Sequence, residues 1–369
     1  MFFFSSIFFT NLYILLYGKI FSKYIIKDEE ISVYEKAIFG TLFVSFLALI
    51  INFFFPLSEV VNSIIFIIPF FFLIKRGFFV KNDLFFIFLS SLITYFIIIF
   101  DTINRPDAGL YHLPYTQILN EHKIILGLSN LHDRFGHISI IQYLNAINYN
   151  FVTGLNGILI PLSSLMVFIF LYFINEIYNF IKKDDKLNFN HLFCLFIVIF
   201  ICYKINRYSN FGNDATAHLL FFYLISIFLK SKDSFNHLNR MTLISTYIFL
   251  SKIFLIFSFV FPFLIYIFSK KKQNKIFFSF STFFILFWFL KNILISGCLI
   301  FPLKQTCFEN LDWFNNLQVE RQSVLGEAWS KGWPDRIDTK ISQKEFIKEF
   351  NWVKTWYSKH FIFIYKIFL

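Results

Sequence analysis

Residues 83–100 read DLFFIFLSSLITYFIIIF, and residues 101–137 follow with DTINRPDAGLYHLPYTQILNEHKIILGLSNLHDRFGH. The first stretch is apolar over a length that spans a bilayer, whereas the second is crowded with titratable side chains. Other apolar segments close to bilayer length lie at 2–17, 37–56, 60–75, 155–180, 190–205, 214–229 and 276–296. This pattern predicts an all-α polytopic membrane protein with about nine or ten membrane helices, some of them short or re-entrant.

The composition of the chain supports this class. Hydrophobic residues make up 57% of the 369 residues, charged residues make up 15%, and the mean hydropathy is +0.62. The formal net charge of +11 does not indicate a nucleic-acid partner, because the lysines and arginines lie mainly in short loops between apolar segments. We therefore expect the membrane lipid bilayer to surround the protein and no nucleic acid to bind it.

The charges of the loops predict the orientation of the chain. Short lysine-rich segments lie at 18–36, 75–82, 181–189 and 230–240. Because basic loops stay on the cytoplasmic side, the N-terminus and two large polar segments, 101–154 and 297–358, are predicted to be extracytoplasmic. The stretch 241–268 fits this alternation only as a hairpin of two short helices that turns near Ser251 and Lys252.

The whole chain, 1–369, is expected to form a single polytopic membrane domain. Its last apolar run, HFIFIYKIFL, is half the length of a span, which predicts an interfacial helix or, preferably, the truncation of a longer protein. Cys298 and Cys307 lie in the second polar segment. They would pair if that segment is extracytoplasmic, but free thiols are the favoured interpretation.

The motif DAGLYH, residues 107–112, contains the first candidate site. Asp107 is expected to cap the N-terminus of a helix, with Tyr111 and His112 on one face of that helix. The functional interpretation makes Asp107 a general base, or a ligand of a divalent metal ion, with His112 beside it. A capped interfacial helix with its aromatic side chains among lipid headgroups explains the same spacing without any chemistry.

Cations suited to a phosphate form the second candidate feature. In NLHDRFGH, residues 130–137, Arg134 offers a planar fork that fits phosphate, and His132 adds charge or hydrogen bonds. Lys252 and Lys291 lie in or beside apolar segments, where an ionisable side chain is by default a functional candidate. For Lys291, snorkelling from the end of its span is the alternative. The spacing of the histidines matches no zinc signature, so a zinc site is disfavoured.

These motifs resemble those of two groups of membrane proteins. A large outer loop with an acidic residue at the start of a short helix resembles the GT-C type membrane glycosyltransferases. DAGLYH followed by NLHDRFGH is similar to the D-x-G-L-Y-H and N-L-H-x-R-x-G motifs of a bacterial multi-spanning family of unknown function. The segment KNILISGCLIFP with the later DW is similar to the second outer loop of that family. The resemblance covers residues 101–140 and 291–335.

The GT-C resemblance implies an activity and a location. The expected activity moves a hexose or pentose from a polyprenyl-phosphate donor, the lipid-linked partner, to an extracytoplasmic acceptor at the bacterial inner (cytoplasmic) membrane. A transporter or flippase of a lipid-linked or polar solute is the alternative, and a non-enzymatic envelope polysaccharide assembly protein is another.

The same resemblance implies roles for individual residues. Asp107 corresponds to the loop carboxylate and His112 is its catalytic neighbour, while Tyr111, His132 and Arg134 belong to the motifs around the substrate. Together with Arg134, Lys252 or Lys291 would neutralise the departing phosphate. Ala108 stands where many GT-C enzymes have a second acidic residue, which argues against a metal bridged by two neighbouring carboxylates.

Overall fold

The computed structural model describes residues 2–26, 31–75, 77–101, 106–183, 186–205, 213–230, 235–268 and 275–368. Helices make up 81% of the structure. The described ranges contain no strand, and their only β-type pairing is an isolated antiparallel bridge between Cys298 and Cys307. The all-α prediction is therefore confirmed.

Fifteen α-helices follow one another along the described ranges. They are α1 (Phe2–Phe21), α2 (Val33–Phe54), α3 (Glu59–Ile67), α4 (Lys81–Ile99), α5 (Leu113–Glu121), α6 (Ile140–Ile147), α7 (Ile160–Lys183), α8 (Phe189–Tyr203), α9 (Asn213–Lys230), α10 (Phe235–Ser251), α11 (Val260–Phe268), α12 (Lys275–Ser296), α13 (Asn316–Ser330), α14 (Gln343–Ile347) and α15 (Val353–Phe368). Short π and 3-10 segments extend or join several of them, and two of these, Ala108–His112 and Asp133–His137, contain the sequence motifs.

Five of the described helical stretches are long and apolar enough to cross a membrane. They are Phe2–Ile26, Val33–Phe54, Lys81–Ile99, Gly154–Lys182 and Ser279–Ser296. Four shorter apolar stretches accompany them: Glu59–Ile74, Phe189–Tyr203, Ala215–Lys230 and Ile253–Phe268. These lengths indicate a membrane protein. The number of crossings and their orientation stay predictions.

The chain forms two compact units. Unit 1 consists of Met1–Ile124 and Ile138–Trp288, and unit 2 consists of Ile125–His137 and Phe289–Leu369. The polar segment after α4 is thus divided, since DAGLYH belongs to unit 1 and NLHDRFGH belongs to unit 2.

In unit 1, α1 and α2 approach so closely that two positions require glycine. A Cβ on Gly18 would lie 1.8 Å from the carbonyl oxygen of Lys36, and a Cβ on Gly40 would lie 2.0 Å from that of Ile14. Small residues let helix backbones meet in this way, and the gain is van der Waals contact along the whole pair. Helices α1 and α2 are therefore in close backbone contact at both glycines.

The helix break predicted near Ser251 and Lys252 is confirmed. Helix α10 ends at Ser251, Lys252 is extended with φ −151° and ψ 103°, and a 3-10 segment leads into α11. The hydroxyls of Ser245 and Ser258 donate to each other's backbone carbonyl oxygens, at 3.1 and 3.5 Å. These bonds hold the chain after the break against α10.

In unit 2, the cysteines depart from the favoured interpretation. Cys298 and Cys307 form a disulfide instead of remaining free thiols. They pair because the chain between them folds back: the Leu299 N–H donates to the Thr306 carbonyl at 2.9 Å. The bridge lies in a small core with Phe301 and Val319. The remaining cysteines, Cys194 and Cys202, are free.

Candidate functional site

Asp107 does not cap a helix, so that prediction is wrong. The chain is already helical at Pro106, Asp107 has right-handed helical dihedrals (φ −59°, ψ −27°), and its side chain makes no capping bond. A capping carboxylate needs extended backbone before the first turn, whereas Asp107 lies inside that turn. Its carboxylate is instead exposed. A π segment, Ala108–His112, follows directly and joins α5, and such segments occur frequently at functional sites.

His112 is buried and its orientation is set by Gln142 of α6. Its Nδ1 lies 2.8 Å from Nε2 of Gln142. The Oε1 of Gln142 accepts the backbone N–H of Ser139, also at 2.8 Å, as part of the capping box that begins α6. The amide nitrogen must therefore donate to His112, which makes Nδ1 the acceptor and assigns the imidazole proton to Nε2. Neutral His112 is thus a hydrogen-bond donor at Nε2.

Three tyrosines lie on the π segment, on α5 and on α6. The ring centroid of Tyr111, which is half-buried, lies 4.3 Å from that of His112. Tyr115 of α5 and Tyr143 of α6 are fully buried, with hydroxyl oxygens 3.5 Å apart, and burial raises the pKa of both phenols. Among these side chains, Asp107 carries the exposed carboxylate that can serve as a general base.

Two asparagines fix the positions of α5 and α6. The side-chain amides of Asn62 and Asn120 both donate to the carbonyl oxygens of Leu57 and Ala146, at 2.7–2.9 Å. Asn62 is fully buried, and a third hydrogen bond from its amide reaches the carbonyl oxygen of Tyr149 at 2.8 Å. Since each lost partner leaves a buried polar group unpaired, this network holds the π segment and Gln142 in register.

In unit 2, NLHDRFGH forms a tight 3-10 turn. The backbone N–H of Arg134 is shared between Oδ1 of Asp133 at 2.8 Å and Nδ1 of His132 at 3.1 Å. His132 Nδ1 and Asp133 Oδ1 are also 3.4 Å apart, and both atoms accept the Arg134 N–H. Gln322 of α13 donates to the other oxygen of Asp133. The side chains of His132 and Arg134 remain half-exposed.

The turn packs on the second polar segment so closely that a side chain at Gly136 would overlap Phe301. A Cβ on Gly136 would lie 2.4 Å from the ring of Phe301, and the ring of His137 lies edge-on to the same phenyl at 5.3 Å. Gly127, in left-handed backbone with φ +65°, lies against Trp313. Within unit 2 the two segments whose motifs resemble one family are therefore in direct contact.

The candidate residues are divided between the two units. Asp107, Tyr111, His112 and Lys252 belong to unit 1, whereas His132, Arg134 and Lys291 belong to unit 2. Lys252 is half-buried at the helix break, with its ammonium 5.4 Å from the ring centroid of Phe254. Lys291 is 1% exposed. Snorkelling does not describe Lys291, because a snorkelling lysine exposes its ammonium.

A buried ionic network in unit 1 was missed from the sequence. Arg240 approaches Glu35 at 3.4 Å, and Tyr223 donates to the same Glu35 oxygen at 3.1 Å. The other Glu35 oxygen accepts from Ser32 in a capping box. The spacing S-x-x-E at 32–35 is typical of such a capping box. Nothing in the sequence pairs the Glu35 carboxylate with Arg240, which lies in a predicted loop. At the other end of α2, the side-chain amide of Asn52 donates to the carbonyl oxygen of His122, in the segment after α5. Along the axis of α2, Glu35 and Asn52 are about 25 Å apart.

No three His, Cys, Asp or Glu side chains come together as metal ligands in the parts of the chain that the structure describes.

The fold and these sites define an all-helical protein with the apolar helices of a multi-spanning membrane protein and polar, motif-bearing segments between them. The chain belongs to the family described as "Domain of unknown function (DUF8201)", which matches residues 1–369. Comparison with curated proteins and with solved structures finds no match.

Proposed function

We propose that this protein is a GT-C-like membrane glycosyltransferase with nine to ten membrane helices. It moves a sugar from a polyprenyl-phosphate donor to an acceptor on the extracytoplasmic side of the cytoplasmic membrane. The observation that carries the proposal is the exposed carboxylate of Asp107 directly before an irregular π segment whose buried His112 is held by Gln142. Regular helix would have sufficed for a merely structural connection, and such irregular segments are enriched at functional sites.

The chemistry assigns the proton to Asp107. An acceptor hydroxyl transfers its proton to the Asp107 carboxylate while its oxygen attacks the anomeric carbon. The bond between that carbon and the phosphate oxygen breaks, and the electron pair leaves with the polyprenyl phosphate. Asp107 suits this task because its carboxylate is exposed and therefore accessible to an acceptor.

Cations stabilise the departing phosphate. Arg134 is the first choice because its guanidinium is half-exposed and matches two phosphate oxygens at once. Lys252 is preferred to Lys291 as the second cation, since Lys252 is half-buried whereas Lys291 is enclosed. Negative charge grows on the phosphate as the bond breaks, so fixed cations lower the barrier more than they strengthen substrate binding.

The disulfide supports the proposed side of the membrane. Disulfides persist in oxidising compartments outside the cytoplasm, and Cys298–Cys307 lies in the segment that loop charge places outside. In unit 2 this segment packs on the turn that contains Arg134. We therefore expect the disulfide and Arg134 to lie on the same, extracytoplasmic side of the membrane.

The test is release of polyprenyl phosphate from radiolabelled polyprenyl-phosphate hexoses and pentoses by the purified protein in lipid nanodiscs, with an envelope glycan extract as acceptor. We expect Asp107→Asn to lower release by roughly 100-fold or more, since general-base catalysis contributes that much. Glu121→Gln is the matched control, because Glu121 is an exposed carboxylate on the adjoining α5. Equal activity of wild type and Asp107→Asn rejects the proposal.

A transporter of a lipid-linked solute is the second candidate, and one observation favours it. Helix α10 is broken at Lys252, and broken helices with a charged residue at the break form the substrate sites of many transporters. Uptake of a fluorescent polyprenyl-phosphate sugar across proteoliposomes distinguishes the two. Uptake that is lost in Lys252→Gln and retained in Asp107→Asn indicates a transporter, whereas the proposed enzyme shows no uptake in the wild type and loses its release of polyprenyl phosphate in Asp107→Asn.

A further inference from the structure

Helix α15 of unit 2 has two unlike faces. One face packs on the body of the unit. Thr355 is buried, its methyl carbon lies 3.5 Å from where a Cβ on Gly332 would stand, and Lys359 forms an ion pair with Asp335 at 3.1 Å. These contacts fix the rotation of α15 about its own axis. The opposite face is consequently held away from the body.

That opposite face is an exposed aromatic row. Its members are Val353, Tyr357, Phe361, Ile364 and Tyr365, each between 38% and 56% exposed. Their spacing of three or four residues aligns them along one side of a helix. The ring centroids of Tyr357 and Phe361 lie 4.6 Å apart and those of Phe361 and Tyr365 lie 6.2 Å apart, so the row is a continuous apolar surface.

The residues around this row have the composition of a membrane–water boundary. Lys354 and Lys366 are exposed near the two ends of α15, and Lys359 in its middle argues against burial of the helix in hydrocarbon. Just before α15, Phe350 is 75% exposed and is held in left-handed backbone with φ 64°. Its ring centroid lies 6.4 Å from that of Trp352, which directly precedes α15.

We propose that α15 is an interfacial helix that anchors unit 2 to the surface of a membrane containing anionic lipids. The aromatic row lies among the headgroups and upper acyl chains, and Lys354, three residues before Tyr357 on the same side of the helix, pairs with anionic headgroups. The occupant is a lipid surface, because the chain already carries five helices of membrane-spanning length and the exposed charge beside the row is positive. This anchor is independent of the proposed transfer reaction, since a transporter or a scaffold would use it equally.

The experiment places an environment-sensitive NBD label on one introduced cysteine at a time in the full chain, in a Cys194→Ala, Cys202→Ser background that removes both native free thiols. Tyr357→Cys reports on the aromatic row. Lys366→Cys is the matched control, because nine residues place it on the opposite side of the same helix. Each protein is reconstituted into nanodiscs of phosphatidylcholine alone or with phosphatidylglycerol, and quenching is measured with aqueous iodide and with lipids that carry a nitroxide at a shallow or a deep position.

The expected result is an iodide quenching constant about threefold lower at position 357 than at position 366. Quenching at 357 should be stronger with the shallow nitroxide than with the deep one, and protection should weaken without phosphatidylglycerol or in high salt. Equal iodide quenching at both positions overturns the proposal. Strong quenching by the deep nitroxide at both positions means that α15 spans the membrane, which overturns the proposal. Protection from iodide that rises with protein concentration in lipid-free amphipol means that a second copy covers the row, which also overturns the proposal. Equal protection in both lipid mixtures overturns the assignment to anionic lipids.

Discussion

Gln142 joins two features of the candidate site, and its removal has a calculable cost. In Gln142→Ala, His112 loses a donor at 2.8 Å and the N–H of Ser139 loses an acceptor at 2.8 Å. Each such bond is worth about 0.5–1.5 kcal/mol, and a buried group left unpaired costs about 1–3 kcal/mol. Since Gln142 is 2% exposed, water does not replace these partners, and we expect a loss of about 2–4 kcal/mol in the free energy of unfolding.

The assay is reversible unfolding of the purified protein in mixed micelles by a graded increase in sodium dodecyl sulfate, followed by circular dichroism. Gln117→Ala is the control, because Gln117 lies on the neighbouring α5 with an exposed side chain and should change the free energy by less than about 0.5 kcal/mol. A loss in Gln142→Ala no larger than that of the control refutes the reasoning.

A second variant at the same position tests the assigned tautomer. Gln142→Glu keeps an oxygen for the Ser139 N–H but replaces the amide donor by an oxygen acceptor. The His112 ring must then place a proton on Nδ1, which moves the nitrogen shifts of this histidine in ¹⁵N NMR. Retention of the Nε2–H pattern in Gln142→Glu contradicts the orientation derived from the capping box.

Three further outcomes are expected. Gly18→Ala should prevent stable folding or lower the midpoint of unfolding sharply, because the new methyl meets the Lys36 carbonyl at 1.8 Å; Gly326→Ala, where nothing lies within 4 Å, is its control, and equal midpoints contradict the close α1–α2 contact. Arg240→Met should cost about 3–5 kcal/mol in unfolding free energy, whereas Glu35→Gln combined with Arg240→Met should recover most of it; no recovery in the double variant argues against the pair. Cys298→Ser should loosen the loop that carries Phe301 and expose the 125–137 turn to limited proteolysis, with Cys202→Ser as control; unchanged cleavage shows that the turn does not depend on the disulfide.

The sequence predicted the features that depend on composition and periodicity. Apolar runs placed the long helices, because only helices of that length and hydropathy suit a bilayer. The break at Ser251–Lys252 followed from the alternation of basic loops, which the stretch 241–268 fits only as a hairpin. Both inferences need only the order of apolar and basic segments along the chain, which explains why they agree with the helices of the structure.

The parts that sequence reasoning missed depend on contacts between distant residues. Gln142 gains its role only because α6 packs on α5, thirty residues after His112. Arg240 reads as a loop cation until Glu35 is found beside it. Asp107 failed as a helix cap because the helix had already begun at Pro106. Cys298 and Cys307 pair because a reversal of the chain, invisible in their spacing, brings them together.

The location of Asp107 outside the cytoplasm is the claim on which the proposed reaction depends, and one labelling measurement tests it. A membrane-impermeant maleimide is applied to intact cells that express Asp107→Cys or Lys182→Cys in a Cys202→Ser background; both native side chains are exposed. The account predicts labelling of position 107 from outside and of position 182 only after the membrane is permeabilised. Labelling of 182 from outside, with 107 protected until permeabilisation, would contradict it.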